Sequence, residues 1–322
     1  MDVQRDRLWR RVCAAQMVTH PETVLIVGAA GFLGTAMSRY FVGKGLEVIG
    51  MDIVEPSKNI AYSIFYQTDE SEAKLGQVLA ERRPTYLVNL VGNADVARSL
   101  IDPRFDFSKS VNFFSIVLDQ VRHFSIDTKV LFASSAAVYG QPKRLPIHES
   151  EMPKPISPYG YHKWICELMA KEYSAIYGVK TASARIFSAY GSGLKKQIFW
   201  DLCHKCYGTG MIELGGDGSE SRDFIHADDI ANAALRILRG ANFAGESYNV
   251  ATGQEITISA LAHLVINEFG SSQERLIFSH AGRAGDPRNW RADITQLQSL
   301  GFTPVVEFPR GVAEYIEWFK KQ

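Results

Sequence analysis

The chain has 322 residues, 46% of them apolar, and its 35 Lys and Arg balance 35 Asp and Glu. That is enough apolar material for a large core, divided over two lobes. Zero net charge without a basic stripe excludes nucleic acid or an anionic membrane as the main partner, and no apolar run reaches the roughly 18–20 residues of a membrane span.

Residues 1–22 carry four arginines in the first eleven positions and lack an apolar h-region, which excludes an ordinary secretory signal. A loose or weakly helical extension is expected there, and Met17 is an alternative start. Four cysteines (Cys13, Cys166, Cys203, Cys206) are too few for a disulfide framework at this length. Cys203 and Cys206 form one C-x-x-C with no second ligand pair, so reduced thiols in a soluble cytoplasmic protein are expected and no metal site.

Thr23 to Val27 (TVLIV) is an unbroken aliphatic run ending in glycines, as suits a parallel strand buried on both faces. A helical stretch follows at 34–45, with Gly43 and Gly45 as stop signals. Residues 46–52 read as the next strand, 71–83 as a helix before the Pro84 break, and 85–92 as a strand. Helix 108–124 leads to strand 128–135, and helix 158–177 to strand 180–187. Such alternation predicts an α/β protein with a doubly wound parallel sheet. Residues 191–224 and 271–322, richer in Gly, Pro and charge, read as a smaller lobe, while 247–253 reads as a strand returning to the main sheet.

Gly28, Gly31 and Gly34 directly follow the first strand and open the first helix. Glycines let the backbone turn tightly and approach a pyrophosphate, whose charge the helix N-terminus favours. In this context the spacing, with Phe32 and Leu33 inside it, predicts a dinucleotide site. Asp52 ends the second strand, 18 residues past Gly34. A carboxylate there accepts the adenosine ribose hydroxyls and repels a 2′-phosphate, and the nearest following cation is Lys58, so NAD is expected over NADP. Asp69 is either near the adenine or a solvated loop residue.

Tyr159, Tyr161 and Lys163 lie within five positions. On a helix, residues four apart share a face and residues two apart point away from each other. Tyr159 can therefore share a site with Lys163, and Tyr161 packs or borders the substrate. Cys166 lies on the face of Tyr159 and is expected in the core.

The glycine fingerprint, "SSAAVYG" at 134–140, "PYGYHK" at 158–163 and "RIFSAYG" at 185–191 together resemble the extended short-chain dehydrogenase/reductase superfamily. Within it the likeness is to NAD-dependent nucleotide-sugar epimerases and dehydratases of the UDP-galactose 4-epimerase type. It runs from about Thr23 to the C-terminus and includes "GDGSESRDFIHADDIA" (216–231), "YNVATG" (248–253) and "GRAGDPRNWRADI" (282–294). The resemblance implies a Rossmann-type NAD-binding domain over 23–187, with 225–253 returning to it, and a nucleotide-sugar-binding α/β lobe from 188–224 and 254–322.

It also implies roles. Tyr159 and Lys163 match the family's Tyr-x-x-x-Lys, and Ser135 its active-site serine. A tyrosine near pKa 10 is a weak base at neutral pH. A lysine cation and a positively charged nicotinamide lower that pKa, so Tyr159 takes the proton of a sugar hydroxyl while NAD accepts hydride from the same carbon. Ser135 hydrogen-bonds the oxygen, and Lys163 also holds the nicotinamide ribose. Asn112 resembles a family asparagine that steadies the active-site backbone, a structural amide being the other reading. Arg222 and Arg283 align with arginines that bind the diphosphate. Ser188 stands where related epimerases carry an asparagine, a phosphate or sugar contact. Asp223 and Asp228 brace the fold or cap the helix starting near Asp229, and His226 packs. Lys195, Lys196 and Gln197 border the nucleotide.

In the 4,6-dehydratases of this family an Asp–Glu pair follows the active-site serine or threonine, and decarboxylases keep a glutamate there. This chain has Ala136 and Ala137, which transfer no protons. Two further departures stand out: Asn89-Leu90-Val91-Gly92 replaces a His-Leu-Ala-Ala run, and "YGSG" replaces Tyr-Gly-Pro-Gly. The sequence thus points to an NAD-dependent nucleotide-sugar 4-epimerase acting on a UDP-hexose. The alternatives are a nucleotide-sugar reductase, an atypical dehydratase with the same triad, or a dinucleotide-sensing protein without turnover. A homodimer joined through helices 108–124 and 158–177 is also implied, although Phe113, Phe114, Val117, Trp164 and Leu168 equally suit burial against the sheet.

Overall fold

The computed structural model describes residues 21–56, 62–69, 72–279 and 287–322. The N-terminal extension up to residue 20, Lys58 and Arg283 lie outside the described residues.

In chain order the first half comprises Thr23–Val27 (β1), Phe32–Gly43 (α1), Glu47–Asp52 (β2), Ile64–Gln67 (β3), Glu72–Arg82 (α2), Tyr86–Asn89 (β4), Val96–Ile101 (α3), Pro103–Phe107 (α4), Phe113–Phe124 (α5) and Lys129–Ser135 (β5). The second half holds Pro158–Tyr177 (α6), Thr181–Ile186 (β6), Ser188–Tyr190 (β7), Gln197–Tyr207 (α7), Ile212–Leu214 (β8), Ser221–Arg222 (β9), Phe224–His226 (β10), Ala227–Gly240 (α8), Ala244–Val250 (β11), Ile256–Thr257 (β12), Ile258–Phe269 (α9), Leu276–Phe278 (β13), Thr295–Ser299 (α10) and Phe308–Phe319 (α11).

Seven parallel strands form one sheet in the order β11-β6-β5-β4-β1-β2-β3. Strand β3 falls in a stretch where no element was expected, and β11 is the returning strand. The chain reverses its direction of winding between β1 and β4, which register Leu25 opposite Leu87. A crevice at the carboxyl ends of the strands follows from that reversal.

Successive side chains of a strand face opposite sides of a sheet, so the all-apolar β1 serves two cores. Val24 and Ile26 pack with Met37, Phe41, Ile230 and Leu235 under α1 and α8. Leu25 and Val27 pack with Leu79, Phe114, Val117 and Cys166 under α2, α5 and α6. Phe114 stacks on Phe132 at 4.4 Å between ring centres, worth about 0.5–1.5 kcal/mol beyond its buried area. The expected helix 108–124 forms as a continuation of α4, with residues Ser108–Asn112 wound as a π-turn between α4 and α5. One extra residue in that turn rotates the side chains that follow it.

Beyond β6 a separate cluster builds the smaller lobe from Tyr190, Phe199, Cys203, Cys206, Leu261 and Tyr315, among others. Tyr190 stacks on Phe199 at 4.7 Å and 7°. The two cysteines of the C-x-x-C are buried thiols inside this cluster. Asp223 braces the lobe to β11: its carboxylate accepts from the N–H groups of Thr252, Gly253 and Ala292 and from the Thr252 hydroxyl. The helix expected near Asp229 starts at Ala227, and His226, not an aspartate, caps it by accepting from the Asp228 N–H. Asp228 pairs instead with Arg39 on α1.

Candidate active site

The crevice begins at the glycine turn. A Cβ on Gly34 would stand 2.3 Å from the Gly28 carbonyl and 2.5 Å from that of Ala29, so only glycine lets α1 start this close to β1. Gly31 is the N-cap of α1 and offers no side chain, which leaves the first N–H groups of the helix, those of Phe32 and Leu33 included, without intrahelical partners and facing the crevice end. Phe32 reaches across to the small lobe's apolar cluster. Asp52, at the tip of β2, folds back toward the turn: Oδ2 accepts from the Ala30 N–H at 2.9 Å and Oδ1 from the Ile53 N–H at 2.7 Å.

The second half of the crevice is the end of β5 and the start of α6. Ser157 caps α6 by accepting from the Gly160 N–H, and Pro158 occupies its first turn. Tyr159 and Lys163 share one face as the spacing required, with the Lys163 Nζ 5.8 Å from the centre of the Tyr159 ring. Tyr161 points away and is 49% exposed, and Cys166 is fully buried in the sheet-facing core. Ser135 is near enough to the Tyr159 phenol to favour its ionised form, and the serine oxygen accepts from the Ala137 N–H. The next two residues, Ala136 and Ala137, are buried methyl groups in an apolar cluster with Tyr139 and Phe187.

The electrostatics depart from expectation. Burial pushes the Tyr159 phenol up to about 12; the Ser135 hydroxyl opposes this, and the field of Asp106 adds to it. Lys163 does not pull it down. That ammonium is buried, donates to the Ala133 carbonyl at 2.7 Å and lies 4.8 Å from the Phe132 ring centre. Stripping water from the ammonium lowers its own pKa. In the free chain, then, the phenol is held neutral.

Asn112 does not steady this site. Its side chain is exposed, and the π-turn instead brings Ser110 inward. A Cβ at Gly92 would lie 3.2 Å from the Ser110 Oγ and 3.4 Å from the Lys163 Nζ. That hydroxyl is buried and has no hydrogen-bond partner, and the same holds for Nδ2 of Asn89 at the end of β4. Each of these two buried groups lacks a hydrogen bond that a polar partner would supply, and Ser110 lies across Gly92 from the Lys163 ammonium.

Further residues supporting the site were not foreseen. The Ser99 hydroxyl on α3 accepts from the Tyr159 N–H at 3.1 Å, fixing the first turn of α6. Behind Ser135, Ser134 donates to Glu167 at 2.6 Å, and Glu167 holds Arg185 through Nη2 at 2.7 Å. Asp106, fully buried on α4, accepts from Nδ2 of Asn93 at 2.9 Å and contacts Nδ1 of His162. These links join residues 13 to 60 positions apart, which no spacing rule reports.

Among the substrate-lobe candidates, Ser188 opens β7 at the rim, two residues past Ile186, the partner of Ser135 in the sheet. Arg222 donates to the carbonyls of Ser221 and Arg288 and lies 5.6 Å from the Trp290 ring centre. Lys196 reaches over from the lobe to the Ala94 carbonyl at 3.0 Å, whereas Lys195 turns to Trp318.

Sheet order, glycine turn, acidic β2 tip and the Ser135–Tyr159–Lys163 cluster define a dinucleotide-dependent enzyme of Rossmann type. The chain belongs to the NAD dependent epimerase/dehydratase family, whose model matches residues 24–251. A putative UDP-glucose 4-epimerase of Methanocaldococcus jannaschii is 28% identical, over 92% of this chain and 98% of its own length. The structure of a UDP-glucose 4-epimerase from Thermotoga maritima, solved with UDP-glucose, superimposes with a TM-score of 0.84 at 27% identity, over 93% of this chain and 99% of that one. A Thermus thermophilus UDP-glucose 4-epimerase in complex with NAD gives 0.83 at 25%, over 92% and 99%. The cofactor is NAD, and the residues present fit it: a glycine cradle, a carboxylate at the ribose distance along the chain, and unpaired polar groups beside Lys163.

Proposed function

We propose that this enzyme is a nucleotide-sugar 4-epimerase acting on a UDP-hexose. The observation that carries the reading is the pair of buried methyl groups, Ala136 and Ala137, directly after Ser135. Oxidation at one carbinol carbon needs only Ser135, Tyr159 and Lys163, whereas dehydration needs an additional acid and base at the sugar.

When bound, NAD supplies a reversible hydride acceptor and a positive charge beside the phenol. Tyr159 takes the proton of the C4 hydroxyl, Ser135 holds that oxygen as it becomes a carbonyl, and Lys163 fixes the cofactor ribose while adding positive charge to the crevice. Ser110 and Asn89 offer hydrogen bonds on the crevice floor. After the keto sugar turns over between the lobes, Tyr159 returns its proton to the oxygen and the opposite configuration results. Gly28, Gly31, Phe32, Leu33 and Gly34 hold the pyrophosphate, and Asp52 the adenosine ribose. We assign Arg222, Arg283 and Ser188 to the nucleotide-sugar diphosphate and sugar, making 188–224 and 254–322 the substrate lobe and 23–187 with 225–253 the cofactor domain.

We also propose a homodimer joined through helices 108–124 and 158–177, which leave Phe124, Leu168 and Ile176 exposed; exposed apolar groups gathered in a patch mark interfaces. The reading is tested by incubating purified protein with UDP-, GDP-, CDP- and dTDP-hexoses without added NAD(H), followed by NMR. Interconversion of C4 epimers of a UDP-sugar is expected. Stoichiometric consumption of NAD(P)H, or accumulation of a 4-keto product, overturns it in favour of a reductase or a dehydratase.

A further inference from the structure

Lys196 is the last residue before α7, and its side chain leaves the small lobe: Nζ donates to the Ala94 carbonyl in the loop after β4, at 3.0 Å and 102 positions away in the chain. Ala94 follows Gly92 by two residues, and a Cβ on Gly92 would stand 3.4 Å from the Lys163 Nζ and 3.2 Å from the Ser110 Oγ. The contact is thus a bridge from the small lobe to the loop that borders Lys163.

Both ends of the bridge are fixed. On the lobe side the Tyr315 hydroxyl donates to the Leu194 carbonyl at 2.7 Å, two residues before Lys196, and Phe199, three residues after it, is stacked on Tyr190. Between them Gln197 holds a φ of +65°. Residues other than glycine rarely adopt that left-handed conformation, which persists only where the surroundings dictate it. On the other side Asn93 donates to the Asp95 carbonyl and to Asp106, and the Asp95 carboxylate caps α3 by accepting from the Arg98 N–H at 3.0 Å. The next residue of α3, Ser99, accepts from the Tyr159 N–H. An unbroken run of short contacts therefore leads from Lys196 to the helix turn that bears Tyr159. Lys195, whose ammonium turns to Trp318, takes no part.

A 4-epimerase needs such a bridge. Its keto sugar has to turn over within the crevice and yet not leave. Escape puts the 4-keto sugar into solution, with the C4 hydride left on the cofactor as NADH and the hydroxyl proton left on Tyr159, and that enzyme molecule is then blocked. We propose that Lys196 is a positioning residue whose bridge to Ala94 keeps the two lobes closed over the keto sugar while it turns. The proposal rests on the 4-epimerase reading. Lys196 acts through the β4 loop, not on the reacting atoms.

The test compares NAD-loaded wild type with Lys196→Met, which keeps the length and removes the donor, Lys196→Arg, which keeps a donor, and Lys195→Met as control. Amide hydrogen exchange over residues 93–101 reads the bridge without turnover. It should be about tenfold faster in Lys196→Met, the worth of one hydrogen bond to a charged group, and unchanged in Lys195→Met. During turnover of the UDP-hexose, enzyme-bound NADH fluorescence should show about tenfold more NADH formed per epimerisation in Lys196→Met, and a return toward the wild-type level in Lys196→Arg. Unaltered exchange, or faster exchange without more NADH, overturns the proposal. A Lys196→Met protein that binds UDP about tenfold more weakly and forms no extra NADH also overturns it, in favour of a direct grip on the diphosphate. A wild type that interconverts no hexose sinks the epimerase reading and this role with it, and the exchange rates then show separately whether the bridge itself exists.

Discussion

Gly160 on α6 approaches the carbonyl of Ala137 so closely that a Cβ would lie 2.5 Å from the oxygen. The turn carrying the two alanines and the helix carrying Tyr159 are in backbone contact, and this contact holds Ser135 and Tyr159 together. Gly160→Ala must push the helix away. We expect turnover to fall about a hundredfold, the usual effect of displacing a reacting group by about 1 Å, with NAD still bound. Unchanged steady-state rates would show that the contact positions nothing.

Tyr159 also makes a prediction at alkaline pH. Burial raises its pKa from the ordinary value to about 12, so between about pH 10 and 12 the native state holds a proton that the unfolded chain releases. Stability contributed by this group is intact below pH 10 and declines as pH rises through that window. Tyr159→Phe should flatten the alkaline decline by up to one proton. Denaturant unfolding of both proteins between pH 9 and 11 measures the slopes, and parallel slopes would contradict the burial effect.

Glu167 and Arg185 form an ion pair with side-chain exposures of 1% and 3%. Glu167→Gln leaves a buried guanidinium without its counter-charge and removes an acceptor from Ser134. A loss of about 3–5 kcal/mol is expected, read from urea midpoints at constant m-value. A loss below about 1 kcal/mol would mean that the neighbouring Tyr139, which accepts from Arg185 at 2.8 Å, suffices alone.

If Asp52 holds the adenosine ribose as proposed, it discriminates between cofactors by charge. Asp52→Asn keeps one acceptor for the Ala30 or Ile53 N–H but removes the repulsion of a 2′-phosphate. NADH affinity should drop about tenfold, the size of a lost charged hydrogen bond, and the preference over NADPH should shrink. Fluorescence titration with both nucleotides checks this; an undiminished preference would place discrimination elsewhere.

Much of this was readable from contiguous stretches. The all-aliphatic β1, the glycine spacing and the acidic tip of β2 report directly on one strand–turn–helix–strand unit, because hydrophobic period and backbone freedom act over a few residues. Helix Pro158–Tyr177 has the bounds expected from the sequence, and within it the four-residue interval paired Tyr159 with Lys163 and excluded Tyr161. The two alanines after Ser135 likewise limited the chemistry before any coordinates existed.

Folding settled the rest. The π-turn put Ser110 rather than Asn112 into the crevice, an outcome of how α4 and α5 seat against the sheet. It turned the Lys163 ammonium onto the Ala133 carbonyl, and it buried the Tyr159 phenol, which is thereby held neutral in the free chain instead of primed. It also joined Asp106 to His162, 56 positions away. Burial and charge are properties of a whole neighbourhood assembled from distant segments, and no local pattern encodes how much water is left around a side chain once those segments meet.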